Sequence, residues 1–342
     1  MTYRKYIAES GVNLYSSGAT VIQPTDIYEF SQDEKLRDIL GCCNIYLIVR
    51  RRKIDICTNS LKIVDRYVHG DFKVQDGSGY EKHRFKGKQQ LDGNILNVFG
   101  NNFPENRIHF QAFNGQIATV PAFKFVFDCE SELEGKGDLE VLYVGQSYGK
   151  EGEILALDRL SAHRTLQRIL ADTLYECPDH EVLLLLFRYE HYKKISSTEG
   201  DFSLEPQASE EEEKKHFERT FNVLFERRNR VSLAEAGLIS YFKPPYNKIY
   251  KETFPSRKHK ILEELLNEDF SSLMIEIDTS NIGTKLYSDS AGNERMTTFF
   301  KNLEARGIND KSGELDEMRY VHIIDIPLYS KDKRNIFLHS IL

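Results

Sequence analysis

Apolar and polar positions along the chain follow several distinct rhythms. Two short unbroken apolar runs, residues 45–49 and 182–187, have the length and aliphatic content of buried strands. Residues 54–57 read as a partner for the first run, joined to it across the basic turn Arg50-Arg51-Arg52-Lys53. Residues 123–127 and 139–144 read as two further strands, a hairpin whose enlarged turn is the polar stretch 130–138. Next, Leu157, Leu160, Leu166, Ile169, Leu170 and Leu174 recur at helical spacing and predict one long helix over about 154–175. A strand at 181–189, a charged helix ending near Arg230 and a short helix over 233–242 follow, the last stopped before Pro244-Pro245. Beyond residue 251 the pattern gives a charged helix, a strand at 273–277, a helix near 297–306 and a strand near 320–326.

Helices and strands interleaved in this way place the chain in the α/β (α+β) class. With 342 residues it is long enough for more than one core. Three stretches can be drawn: an N-terminal α+β region, 1–115; a central region, 116–250, with a small antiparallel sheet flanked by helices; and a C-terminal α+β region, 251–342. An acidic, poorly periodic insertion, 196–213, interrupts the central one.

Composition narrows the functional classes. An apolar fraction of 40% and a charged fraction of 29% are those of a folded globular chain. No apolar run approaches the roughly 20 residues needed to cross a bilayer, and the N-terminus lacks a secretion-type apolar core, so no membrane association is expected. Five scattered cysteines without a C-x-x-C pair predict reduced thiols and a cytoplasmic location. The net charge of −7 runs against a nucleic-acid partner, but the charges are segregated. Acids crowd at Glu199, Asp201, Glu205 and Glu210–Glu213, and bases at residues 50–53, at Arg164 with Arg168, at 227–230 and at 257–260.

Chemistry concentrates in the central stretch. Tyr143-Val144-Gly145-Gln146 ends a strand with a phenol and a glycine that permits close approach. Arg159 and His163 follow with the i to i+4 spacing that sets two side chains on one helix face. Glu235 lies on the short helix, and Asn247 closes Phe242-Lys243-Pro244-Pro245-Tyr246-Asn247. Glu235 also stands three residues after Ser232, the spacing of a helix capping box.

In this ordered set the chain resembles the GIY-YIG nuclease family, over residues 120–250. Tyr143-Val144-Gly145 matches the second signature, Arg159 with His163 the helix motif, and Glu235 through Asn247 the third motif. The position four after Arg159 being His is closer to the restriction-endonuclease branch. The resemblance implies hydrolysis of DNA phosphodiesters by an Mg²⁺- or Mn²⁺-dependent endonuclease in restriction or antiviral defence, acting as a homo-oligomer or beside a partner protein. It assigns catalysis to Tyr143, Arg159, His163, Glu235 and Asn247, the metal to Glu235, and nucleic-acid contacts to Gly145, Gln146, Arg164, Arg168 and Lys243. Arg supplies a permanent planar cation for phosphate, and one carboxylate suits Mg²⁺, which keeps its waters. The first signature should place a Tyr on the strand before Tyr143. The best match there is Pro121-Ala122-Phe123, where the hydroxyl is missing. On that alignment the alternative is a catalytically impaired module of the same fold that binds nucleic acid or protein.

Overall fold

The computed structural model describes residues 5–133, 135–147, 156–198, 205–256, 259–291 and 320–328. The predicted helix at 297–306 lies outside them. The fold is α+β, as the interleaved pattern requires, but its sheets are assembled across the three sequence stretches. The central five-stranded sheet has the order β16 (Leu286–Tyr287), β12 (Leu139–Gln146), β3 (Ile45–Arg52), β13 (His180–Phe187), β2 (Thr20–Ile22). β3 pairs antiparallel with both β12 and β13 and is buried along most of its length. A strand covered on both faces has no polar side to show, hence the unbroken apolar run.

One face of this sheet packs Ile45, Leu47, Val49, Leu183, Leu185 and Phe187 into a core shared with α7 (Arg227–Phe242). On its far side α7 meets a second sheet, β14 (His191–Ser197), β1 (Glu9–Tyr15), β15 (Ser272–Asp278) and β17 (Val321–Pro327). A helix sandwiched between two sheets must be slim, and α7 is built with Ala234, Ala236 and Gly237 there. A Cβ on Gly237 would lie 2.1 Å from Ile275 Cδ1. The other face packs Tyr46, Ile48, Leu184 and Leu186 with α1 (Asp26–Gln32), α2 (Glu34–Gly41), α4 (Ala156–Ser161) and α5 (Arg164–Glu176).

Between β3 and β12 the chain leaves to form an insertion. It holds β4 (Ile54–Ile56), β5 (Lys62–Val64), β6 (Tyr67–Asp76), β7 (Gly79–Gly87) and β11 (Cys129–Ser131) in one sheet. A second sheet has β8 (Ile95–Gly100), β9 (Arg107–Ala112) and β10 (Ile117–Pro121). The insertion has its own core around Phe72, Phe85 and Phe125.

Several local expectations are corrected. Residues 123–127 are a helical turn, α3 (Ala122–Phe125), continued by a 3-10 turn. Phe123 and Phe127 enter the central core while Phe125 and Val126 enter the insertion core, so the run is buried on all sides and has no strand-like alternation. Residues 54–57 pair with β6 and not with β3. Arg50, Arg51 and Arg52 are no turn but the last residues of β3. They are engaged by Glu140, Glu181 and Asp76 respectively, and Arg51 is fully buried. The long helix is two helices, broken at His163, whose backbone is extended (φ −84°, ψ 102°). Ser232 and Glu235 form no capping box, because α7 already begins at Arg227. The acidic run 210–213 is instead the first turn of α6 (Glu210–Asn222), with a capping box of Ser209 and Glu212. There the carboxylates complement the helix N-terminus. Residues 199–204 of the predicted acidic insertion lie outside the described residues.

Candidate active site

Tyr143 reaches its position through a bulge. Val141 pairs with Val49 and Tyr143 with Ile48, so one extra residue sits in β12 between them. Strict alternation would point Tyr143 to the same side as Val141. The bulge turns it to the opposite face, that of Tyr46. From there β12 continues in register, with Gly145 directly across from Tyr46.

That pairing shows what the glycine is for. A Cβ on Gly145 would meet Tyr46 Cζ at 2.5 Å, Tyr46 Oη at 2.6 Å and Tyr143 Cε1 at 2.8 Å. Gly145 is therefore space for two phenol rings. It is buried, which removes it from the expected nucleic-acid contacts. The two rings stack at 6.2 Å between centroids, and the His163 ring stands edge-on to both, at 5.7 Å from Tyr46 and 5.1 Å from Tyr143.

The strand before Tyr143 in space is thus β3, and the hydroxyl that Phe123 lacks is present at Tyr46. Phe123 lies in α3, its ring buried and its carbonyl accepting a hydrogen bond from Arg51 Nη2 at 3.2 Å. Residues 121–123 are thus not the strand paired with β12; that strand is β3, and it brings the Tyr46 hydroxyl beside Tyr143. The insertion, residues 53–138, separates the two paired strands along the chain.

His163 caps α5: its Nδ1 accepts the Leu166 N–H at 3.1 Å, and its Nε2 lies 3.2 Å from Tyr46 Oη. Because Nδ1 is an acceptor, the neutral ring carries its proton on Nε2. Nε2–H then donates to the Tyr46 oxygen. The hydrogen bond of the His163 ring thus goes to Tyr46, while Tyr143 meets it only edge-on. Burial, then Arg159, lowers the His163 pKa and keeps the ring neutral. Arg159, exposed on the last turn of α4, also interacts with the Tyr46 hydroxyl.

Glu235 comes from mid-α7 towards the same group. Its carboxyl is pushed up to about 7, first by burial, against the opposing pulls of Arg159 and a hydrogen bond from the Gln146 N–H. Tyr46 is raised mainly by burial, with Arg159 pulling it down; Tyr143 is raised by burial and then by Glu235. Both phenols are neutral near pH 7.

Asn247 does not reach the cluster. Its Oδ1 accepts the Val144 N–H at 2.9 Å and its Nδ2 donates to the Val144 carbonyl at 2.8 Å. It pins the loop after α7 to the strand between Tyr143 and Gly145. Of the remaining expected contacts, Arg164 is exposed beside His163, and Gln146 reaches Glu235 through its backbone. Arg168 is paired with Asp172 at 3.3 Å and lies over the Tyr246 ring, while Lys243 is paired with Glu252 at 2.8 Å. Besides Tyr46, sequence reasoning missed Tyr250, whose pKa is raised by burial and then by Glu235. Its φ of 67° carries no glycine signal to mark it.

Among the described residues no group of three or more His, Cys, Asp or Glu side chains gathers as a metal cage. A divalent ion would take one protein carboxylate. Glu235 fits that part, its carboxyl being buried with Arg159 as the cation acting on it. Water and substrate oxygens would supply the remaining ligands, the arrangement Mg²⁺ tolerates best. Comparison of the whole chain with protein-family models, with curated proteins and with solved structures returns no match.

Proposed function

We propose that the chain is a divalent-metal-dependent endonuclease that hydrolyses DNA phosphodiesters. The observation that carries this reading is the meeting of Tyr46, Tyr143, Arg159, His163 and Glu235 from two strands, two helices and an interhelical junction. Attack of water on phosphorus builds negative charge on the non-bridging oxygens, and Arg159 supplies a fixed planar cation to meet it. Glu235 would hold Mg²⁺ or Mn²⁺, which supplies Lewis acidity at the phosphate and the leaving oxygen.

Of the two phenols, Tyr46 is assigned as the proton acceptor on geometry, two donors meeting its oxygen, although burial and Tyr143 raise its pKa overall. Its oxygen receives the His163 Nε2–H and lies within the field of Arg159, both of which favour a phenolate. Tyr143 stands nearer the Glu235 charge and stays neutral, suited to orienting the attacking water by hydrogen bonding. His163 acts as a donor that holds Tyr46, and Asn247 fixes the strand carrying Tyr143. A single site cuts one strand, so a double-strand break requires two chains or two events; homo-oligomerisation and a role in restriction or defence belong to the same reading.

The test is incubation with plasmid DNA and Mg²⁺ or Mn²⁺, with Glu235→Ala beside the parent protein. Metal-dependent nicking that vanishes in the variant is expected. Binding without nicking on unmodified, modified and mixed-sequence DNA would return the chain to the module reading.

A further inference from the structure

The insertion carries a charge pattern that the cluster of tyrosines does not use. In the β6–β7 hairpin Val68, Phe72, Val74, Phe85 and the glycines 70 and 87 turn inward. The opposite face carries Lys73 from β6 and Lys82, Arg84 and Lys86 from β7. Alternate residues on a strand are about 6.8 Å apart, so the β7 row spans about 14 Å, the rise of roughly four phosphates along one DNA strand. In register, Lys73 stands opposite Lys82 and His69 opposite Lys86, and Lys62 of β5 stands opposite His69. Cross-strand cations repel, a cost that a folded chain of net charge −7 has no need to incur. Asp71 and Glu130 are the acids across from Arg84 and Lys86. Among the described residues Lys82, Arg84 and Lys86 enter no ion pair, whereas Lys73 is held by Glu105.

Glu105 belongs to the loop before β9, and that same loop presents Phe103, 92% exposed. The loop is braced by Asn101, which accepts the Arg107 N–H at 3.1 Å and donates to the Pro104 carbonyl. The tyrosines of the face are not free for stacking on bases: Lys86 Nζ lies 4.2 Å from the Tyr67 ring centre and Lys73 Nζ 5.2 Å from that of Tyr80. A cationic row with capped aromatics matches phosphates better than unpaired bases. A braced, exposed phenyl two residues from the Glu105 that holds Lys73 matches a wedge against base pairs.

We propose that this face of the insertion docks the backbone of duplex DNA, with Phe103 as its apolar contact. The assignment of DNA rests on the nuclease reading; the surface itself does not. The experiment measures duplex binding by the Glu235→Gln protein in EDTA, where no chemistry intervenes. Adding Lys82→Glu, Arg84→Glu and Lys86→Glu should weaken binding at least tenfold near 100 mM salt. It should also reduce the slope of log affinity against log salt by about 2.7, at about 0.9 per phosphate contact. If that variant melts early, the Lys82→Gln, Arg84→Gln, Lys86→Gln protein carries the same prediction for the slope. Phe103→Ala should weaken binding with the slope unchanged. Affinity and slope both unaltered by the triple changes would overturn the docking surface; preference for duplex RNA would overturn its assigned partner. Salt-dependent DNA binding lost in the triple variants, with no nicking by the parent protein, would leave the surface standing and remove the active-site reading.

Discussion

The Glu235 carboxyl should release its proton to solvent as the cation binds. It is raised to about 7 because burial disfavours the anion more than Arg159 and the Gln146 N–H favour it. For an acid raised in the folded state, the stabilisation is fully present below the ordinary value and is lost as pH climbs through the raised one. Between 4.5 and about 7 that loss amounts to at most ~3–4 kcal/mol, taking ~1.4 kcal/mol per pH unit. A divalent ion requires the anion. A group titrating near 7 is about nine-tenths protonated at pH 6 and about one-tenth at pH 8. Calorimetric titration with Mn²⁺ in two buffers of different ionisation enthalpy should therefore show ~0.9 protons released per ion at pH 6 and ~0.1 at pH 8. Affinity should be about tenfold weaker at pH 6 than at its high-pH plateau. Glu235→Gln should abolish the binding and flatten the stability profile between pH 4.5 and 7. Binding without proton release at pH 6, or undiminished binding by the Gln variant, would refute the role given to this carboxyl.

Four further outcomes are expected. Gly145→Ala forces two rings aside and should cost about 1–3 kcal/mol of stability together with most of the activity; a variant of parental rate would show that ring placement is irrelevant. His163→Asn keeps an oxygen able to cap α5 but loses the Nε2–H donor to Tyr46, so its melting temperature should hold while its turnover falls. Asn247→Ala strands the buried N–H and carbonyl of Val144 and should destabilise the protein by about 2–5 kcal/mol, read by denaturant unfolding. Arg51→Met should leave DNA affinity unchanged, since the guanidinium is buried against Glu181, while unfolding measurements record a loss of about 3–5 kcal/mol from the orphaned carboxylate.

What could be read in the sequence was what short-range periodicity encodes. The buried runs 45–49 and 182–187 are β3 and β13, and Leu166 and Ile169 do face inward from a helix. Tyr143, Arg159, His163 and Glu235 do come together. The register that unites them was not legible, for three physical reasons. A folded insertion lies between β3 and β12, so the strand paired with Tyr143 is not the chain just before it, where Phe123 stands. A bulge at Val141/Tyr143 inverts the facing of the strand, and nothing in the residue types marks it. A histidine can interrupt a helix by capping the next one with Nδ1, which i to i+4 spacing disguises as one continuous face. The three arginines at 50–52 read as a basic turn because their acids, Glu140, Glu181 and Asp76, are remote in sequence.

The account centres on the phenol of Tyr46, supplied by a strand remote in sequence from the remainder of the constellation. Single-turnover cleavage of saturating DNA with Mg²⁺ by Tyr46→Phe measures its part directly, with circular dichroism recording that the fold is kept. Loss of a general base lowers the chemical step by about 10²–10⁴-fold, and a drop in that range at unchanged DNA affinity is the predicted result. A Tyr46→Phe protein that cleaves at the parental rate would contradict the account.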